Sequence, residues 1–321
     1  MTTAQQQQPV GSPFSAASTA RDVLAGRDLT GRTAVVTGGS SGLGLETVRA
    51  LAAAGARVLA PVRTAAPVPE GVETLPLDLT DPASVRAAAA RIARVVDRVD
   101  LLVAAAGVMA TPERYVGPGW EGQLAANHLG HHLLACELYP LLRAAGTSGG
   151  ARVVAYSSAG HMLTGIRWRD PHFRTGYDRW LAYGQSKTAN ALFAVHLDAI
   201  GRADGVRAFS LHPGKIITGL QRGMTRAEQV DRGWIDERGR VVGADFKSPA
   251  QGAATGLWAA TSPLLDGLGG LYLEDCEVAP VATPDGSMDT GGVRAHAVDP
   301  GAAERLWELS TAATGATPIG G

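Results

Sequence analysis
Apolar runs and helix-period segments alternate along most of this chain, and that rhythm constrains the fold more than any single motif. Residues 33–37, 57–62, 72–77, 100–105, 152–156, 206–211 and 270–273 read as short strands, and residues 44–54, 81–97, 119–143 and 249–260 as helices. The strand runs are almost uninterrupted in apolar character, which suits strands covered on both faces. Parallel strands joined by right-handed helical crossovers satisfy that pattern. The expected architecture is a doubly wound α/β fold: a mostly parallel sheet of about seven strands, helices on both faces, three layers in all. Asp81-Pro82 marks one helix start, with Asp as N-cap and Pro in the first turn.

No repeat or linker divides residues 26–312, which read as one domain. Residues 1–25, with the run Gln5-Gln6-Gln7-Gln8, read as a disordered leader, and 313–321 as a flexible tail. Two stretches break the rhythm, near 160–180 and at 219–248, each following a strand in the second half. In doubly wound sheets ligands bind beyond the carboxyl ends of strands, so both are candidate substrate loops.

The first strand runs into Thr37-Gly38-Gly39-Ser40-Ser41-Gly42-Leu43-Gly44, where glycines at 38, 42 and 44 precede a helix. Backbone without Cβ approaches a pyrophosphate closely, and a helix N-terminus faces its negative charge. No Lys-Ser/Thr closes the turn, which disfavours a nucleoside triphosphate loop. The second strand ends Pro61-Val62-Arg63 with no acidic side chain for ribose hydroxyls. Arg63 instead offers a planar fork to a 2′-phosphate, so the expected cofactor is NADP (NADPH), with NAD possible. Asp78-Leu79 places a carboxylate where it reaches the adenine amine or caps its own turn.

Tyr183 and Lys187 stand four residues apart, which stacks phenol and ammonium on one helix face. A cation beside a tyrosine favours phenolate and lowers its pKa, giving an acid/base for interconverting alcohol and carbonyl. A solvated helix face is the ordinary reading of such a pair; Asn127 and Ser158 upstream strengthen the functional one.

Together these motifs resemble the short-chain dehydrogenase/reductase family in its single-domain form, a Rossmann oxidoreductase. The likeness runs from about residue 29 to 309 and is greatest to the branch of retinol dehydrogenase-like and protochlorophyllide reductase-like enzymes. It rests on the glycine turn, Asp78-Leu79, Asn127-His128-Leu129-Gly130-His131, Ser157-Ser158, Tyr183–Lys187 and Pro213-Gly214-Lys215-Ile216-Ile217-Thr218. The resemblance implies Tyr183 as general acid/base and Lys187 as its modulator and ribose anchor. It implies Ser158, rather than Ser157, as the hydrogen-bond partner of the substrate oxygen. Asn127 would hold a water leading to Lys187. Cofactor contacts would come from Gly38, Ser40, Ser41, Gly42, Leu43, Gly44, Arg63, Asp78, Leu79, Ala104, Gly107, Tyr183, Lys187, Pro213, Gly214, Ile216 and Thr218. One departure stands out: Ala104-Ala105-Ala106-Gly107 replaces the usual Asn-Asn-Ala-Gly, removing amides that brace neighbouring strands. A non-catalytic dinucleotide-binding or redox-sensing protein, or an enzyme reducing a C=C bond, is the alternative.

Composition narrows the remaining classes. Net charge is −1 with no long run of one sign, so neither nucleic acid nor an anionic membrane surface is an expected partner. Two distant cysteines, Cys136 and Cys276, suit a reducing compartment, and no apolar run approaches the ~20 residues of a membrane span. The expected setting is cytoplasmic, and the partner a small carbonyl or alcohol substrate of apolar character. His128, His131 and His132 share helical spacing without a fitting further ligand, so no metal site is expected. Trp168, Phe173, Tyr177 and Trp180 line an apolar pocket or pack under a loop. Leu129, Leu133, Leu134, Leu138, Leu141 and Leu142 form a helix face for the core or for pairing in a homodimer or tetramer.

Overall fold
A computed structural model describes residues 3–64 and 66–319. Eight strands form the main sheet: β1 (Thr33–Thr37), β2 (Arg57–Val62), β3 (Glu73–Pro76), β4 (Leu101–Ala104), β5 (Ala151–Tyr156), β6 (Val206–His212), β7 (Leu271–Glu274) and β8 (Glu277–Val278). Their order is β8-β7-β6-β5-β4-β1-β2-β3. All neighbours pair in parallel except β8 on β7. Val35 sits opposite Leu59 on one side and Leu102 on the other, and every residue of β1 is buried. The order reverses beside β1, so a crevice opens where β1 and β4 end.

Helices α1 (Gly42–Ala53) and α5 (Pro249–Thr261) cover one face. α2 (Pro82–Val95), α3 (Gly130–Gly146) and α4 (Arg179–Gly201) cover the other, and α6 (Pro300–Thr314) packs outside α4. Asp81 caps α2 as expected, its side chain accepting from Ala83 N. The leucine face of α3 lies inside the chain: Leu129, Leu133, Leu134, Leu138 and Leu142 are fully buried.

Several expectations need correcting. The sheet has eight strands rather than about seven, because the chain reverses at Asp275 and Cys276. Both have positive φ, 52° and 60°. That geometry matches the twist of a two-residue hairpin, where Gly or Asn is usual, so the sequence carries no turn signal there. The helix expected from 119 instead follows a small hairpin, Tyr115–Val116 with Trp120–Glu121. It begins at Gly122–Leu124 and passes through a π turn, Ala125–Leu129, into α3.

Residues 3–25 are not a free leader. Thr19 and Asp22 form a capping box for a helix, Ala20–Leu24, which buries Val23 and Leu24 against α5. Before it, the Glu277 carboxylate accepts the backbone N–H groups of Val10, Gly11 and Ser12 at 2.7, 2.9 and 2.9 Å. At the other end, α6 reaches Thr314, and Arg86 Nη2 donates to the carbonyls of Thr314 and Gly315, both at 2.9 Å. Residues 1–2 and 320–321 lie outside the described residues. No helix among the described residues is long and apolar enough to cross a membrane.

Candidate active site
A cavity of about 950 Å³ occupies the crevice at the carboxyl ends of the strands. Its floor begins with the β1–α1 turn. Gly44 is required by packing: a Cβ there would lie 2.3 Å from the Gly38 carbonyl oxygen. Ser41 is the N-cap of α1, yet among the described residues no side chain takes up the first-turn N–H groups, which face the cavity as open donors. Gly38, Ser40, Ser41, Gly42, Leu43 and Gly44 all line it, as do Arg63, Asp78, Leu79, Gly107, Pro213, Gly214, Ile216 and Thr218. An open helix N-terminus above a glycine cradle, with an arginine at the next strand end that has no partner among the described residues, fits a dinucleotide phosphate chain. Asp78 also closes its own turn, its Oδ1 accepting from Thr80 N at 2.9 Å and Thr80 Oγ1 at 2.7 Å.

The other half of the cavity is reactive. Asp178 caps α4, accepting from Trp180 N and Leu181 N, and α4 carries Tyr183 and Lys187 one turn apart. The Lys187 ammonium lies 5.7 Å from the Tyr183 ring centroid and donates to the Tyr156 carbonyl at 2.8 Å. Ser158, two residues beyond β5, accepts from Gly160 N at 3.1 Å and lines the cavity beside Tyr183. Gly160 permits that approach, since a Cβ on it would sit 2.8 Å from Tyr183 Cε1. Ser157 turns away and donates to the Lys187 carbonyl at 2.7 Å, anchoring α4 to β5.

Electrostatics correct one expectation. Burial pushes Tyr183 up to about 12, against the lowering influence of the Ser158 hydroxyl, and pushes Lys187 down to about 7. Lys187 does not lower the tyrosine in the protein alone: its own charge is disfavoured by the same dry surroundings. Tyr183 is therefore held as a protonated phenol at neutral pH.

Asn127 does not line the cavity. Its amide clamps the Val108 backbone, accepting from N at 2.8 Å and donating to O at 3.0 Å, and donates to Ser186 Oγ at 2.8 Å. Its carbonyl, in the π turn, accepts from His131 Nδ1 at 2.9 Å. That bond fixes the tautomer. Nδ1 must carry the proton, so Nε2 accepts from the Thr37 hydroxyl at 2.8 Å. Thr37 Oγ1 in turn accepts from Ala106 N at 3.1 Å. This relay braces the backbone after Ala104-Ala105 through Thr37 and His131, which stand in two of the sequence motifs without an assigned role. Ala104 is buried in the sheet and does not line the cavity.

The remaining candidates disperse. His128 bonds Ser310, His131 bonds Thr37, and His132 packs edge-on against Trp307 at 4.6 Å. Of the four aromatics near 160–180, only Trp180 lines the cavity. Trp168 lies under Arg305, and Phe173 packs on Tyr177. Two further histidines support the site. His212 Nδ1 accepts from Ala159 N at 3.2 Å. His161 Nδ1 donates to the Ser158 carbonyl at 2.7 Å, and its Nε2 accepts from Arg294 N at 3.1 Å.

Comparison with known proteins agrees with this construction. The family model described as short chain dehydrogenase matches residues 32–229. A probable oxidoreductase of Streptomyces lividans is 49% identical over 295 residues, 88% of this chain and 97% of that protein. Retinol dehydrogenase 12 of Mus musculus is 33% identical over 292 residues, 87% of this chain and 85% of that protein. A crystal structure of an uncharacterized Mycobacterium paratuberculosis protein superposes with a TM-score of 0.67 at 32% identity, covering 94% of this chain and 98% of that one. With the glycine turn, the Tyr183–Lys187 pair and Ser158 gathered in one crevice, the chain belongs to the short-chain dehydrogenase/reductase family of oxidoreductases, in its retinol dehydrogenase-like branch.

Proposed function
We propose that the protein is an NADP-preferring oxidoreductase that interconverts an alcohol and a carbonyl, with Tyr183 as general acid/base. The observation that carries this is the convergence of Tyr183, Ser158 and Lys187 on the cavity that also holds the open α1 N-terminus and Arg63. A bound nicotinamide supplies or takes the hydride, a two-electron transfer. The protein's part is proton and position. In reduction, the Ser158 hydroxyl and the Tyr183 phenol both donate to the carbonyl oxygen, and Tyr183 gives up its proton as the alkoxide forms. A buried, protonated phenol suits that role, and general acid catalysis of this kind is worth about 10²–10⁴ in rate. Gly38, Ser40, Ser41, Gly42, Leu43 and Gly44 would cradle the phosphates. Asp78, Leu79 and Gly107 would flank the adenosine, and Pro213, Gly214, Ile216 and Thr218 the nicotinamide. Lys187 would hold the ribose hydroxyls. The relay of Thr37 and His131 to Ala106 N, the residue after Ala104-Ala105, weighs against a non-catalytic binder.

The test is a carbonyl panel with NADPH, run on wild type and Tyr183→Phe, alongside titration with NADPH and NADH. The phenol-free variant should bind NADPH normally and lose turnover by at least about 10². Equal turnover by the two proteins overturns the role of Tyr183, and tighter binding of NADH overturns that of Arg63.

A further inference from the structure
Arg232 follows the short helix Arg226–Asp231 in the 219–248 loop and lines the mouth of the cavity. Its guanidinium carbon sits 4.0 Å from the Trp180 ring centroid and 5.8 Å from that of Trp234. The two indoles meet edge to face, centroids 6.4 Å apart at 89°. Two other cations that line the cavity have acceptors. Lys215 lies between Asp245 and Asp289 at 2.5 and 2.6 Å, and Arg222 Nη1 donates to the Gly219 carbonyl at 3.0 Å. Among the described residues Arg232 has neither a carboxylate nor a carbonyl partner, only the two rings.

A guanidinium over an aromatic face is held in place while its N–H fork stays available for a planar acceptor. Trp180 lies in the first turn of α4, one turn before Tyr183, so the cation and the proton donor share one side of that helix. Between them the cavity is apolar, lined by Met109, Leu163, Leu220 and the two indoles. We propose that the site takes substrates with an apolar body and a carboxylate remote from the reacting carbon, and that Arg232 binds that carboxylate. A carboxylate matches the single planar fork that Arg232 presents, whereas a phosphate dianion is better served by a helix N-terminus or several converging cations. The proposal rests on the alcohol–carbonyl reading above and names its substrate class; the carboxylate itself is unchanged by the reaction.

The experiment uses aryl aldehydes carrying alkanoate tails of increasing length, each paired with its methyl ester, and NADPH. Wild type, Arg232→Gln and Arg232→Lys are compared by the acid-to-ester ratio of kcat/KM. The ratio should peak at one tail length in wild type and fall about tenfold in Arg232→Gln, mainly through KM, with partial retention in Arg232→Lys. Added salt should lower it in wild type and, to a lesser degree, in Arg232→Lys, but not in Arg232→Gln. A ratio that is the same in wild type and Arg232→Gln at every length overturns the proposal and assigns Arg232 to loop packing. Binding of the matching non-reducible arylalkanoates, followed by tryptophan fluorescence, separates the two readings. Arg232-dependent acid binding without turnover of any aldehyde sinks the reductase reading alone. Ester turnover that requires Tyr183, with acid binding indifferent to Arg232, sinks the carboxylate proposal alone.

Discussion

Thr37→Val tests whether the relay beneath the glycine turn holds the site together. Valine matches threonine in shape, so no cavity opens, and the change isolates the hydroxyl. Thr37 is fully buried; its Oγ1 accepts from Ala106 N at 3.1 Å and donates to His131 Nε2 at 2.8 Å. Leaving a buried polar group without a partner costs about 1–3 kcal/mol. His131 is 5% exposed and pays nearly in full, whereas the partly buried Ala106 N–H reaches water more easily. The expected loss is about 2–4 kcal/mol. Thr37→Ser keeps the hydroxyl and deletes one buried methyl, a loss of about 1 kcal/mol. Urea denaturation reads both as shifts in midpoint at constant slope. A cycle with His131→Leu should show coupling of at least about 0.5 kcal/mol, because the same bond is lost in either single variant. The reasoning fails if serine costs as much as valine, or if the cycle is additive: position 37 would then matter by packing alone.

Two further outcomes follow from the geometry. His161→Phe keeps the ring packed 4.9 Å from Tyr272 but loses its bonds to the Ser158 carbonyl and Arg294 N. It should lower kcat about tenfold or more with KM little changed, as Ser158 drifts from the substrate oxygen; a KM effect alone would refute a positioning role. Stability should rise with pH from about 7 to 8.5 in the protein without cofactor. Lys187 has a folded pKa of about 7 against an ordinary 10.5, so the unfolded chain binds the extra proton in that range. The buried histidines, all lowered from 6.5, have finished by then, and Cys136 and Cys276, raised from 9.0, contribute loss only at higher pH. Lys187→Met should flatten that slope, and an unchanged slope in the urea midpoint would show that another group carries it.

The fold was legible because buried parallel strands announce themselves as unbroken apolar runs, and β1, β2, β4, β5 and β6 do so. The site was legible where chemistry demands fixed spacing: Tyr183 with Lys187, and the glycines whose neighbours leave no room for a Cβ. What escaped notice depends on long-range company. The hairpin at Asp275–Cys276 uses residues that carry no turn signature. Thr37 and His131 meet across 94 positions, and neither type marks a brace by itself. The tyrosine pKa went the other way because local spacing shows the cation but not the burial that opposes it. Residues 10–12 looked solvated because their acceptor, Glu277, lies more than 260 positions away.

That last contact has a consequence in time. Synthesis proceeds at about 5–20 residues per second, so roughly 13–50 s separate the appearance of Ser12 from that of Glu277. During that interval the three N–H groups that Glu277 will receive have only water, and β7 does not yet exist to receive β8. Residues 10–12 are therefore seated on Glu277 only after the chain has been made through β7.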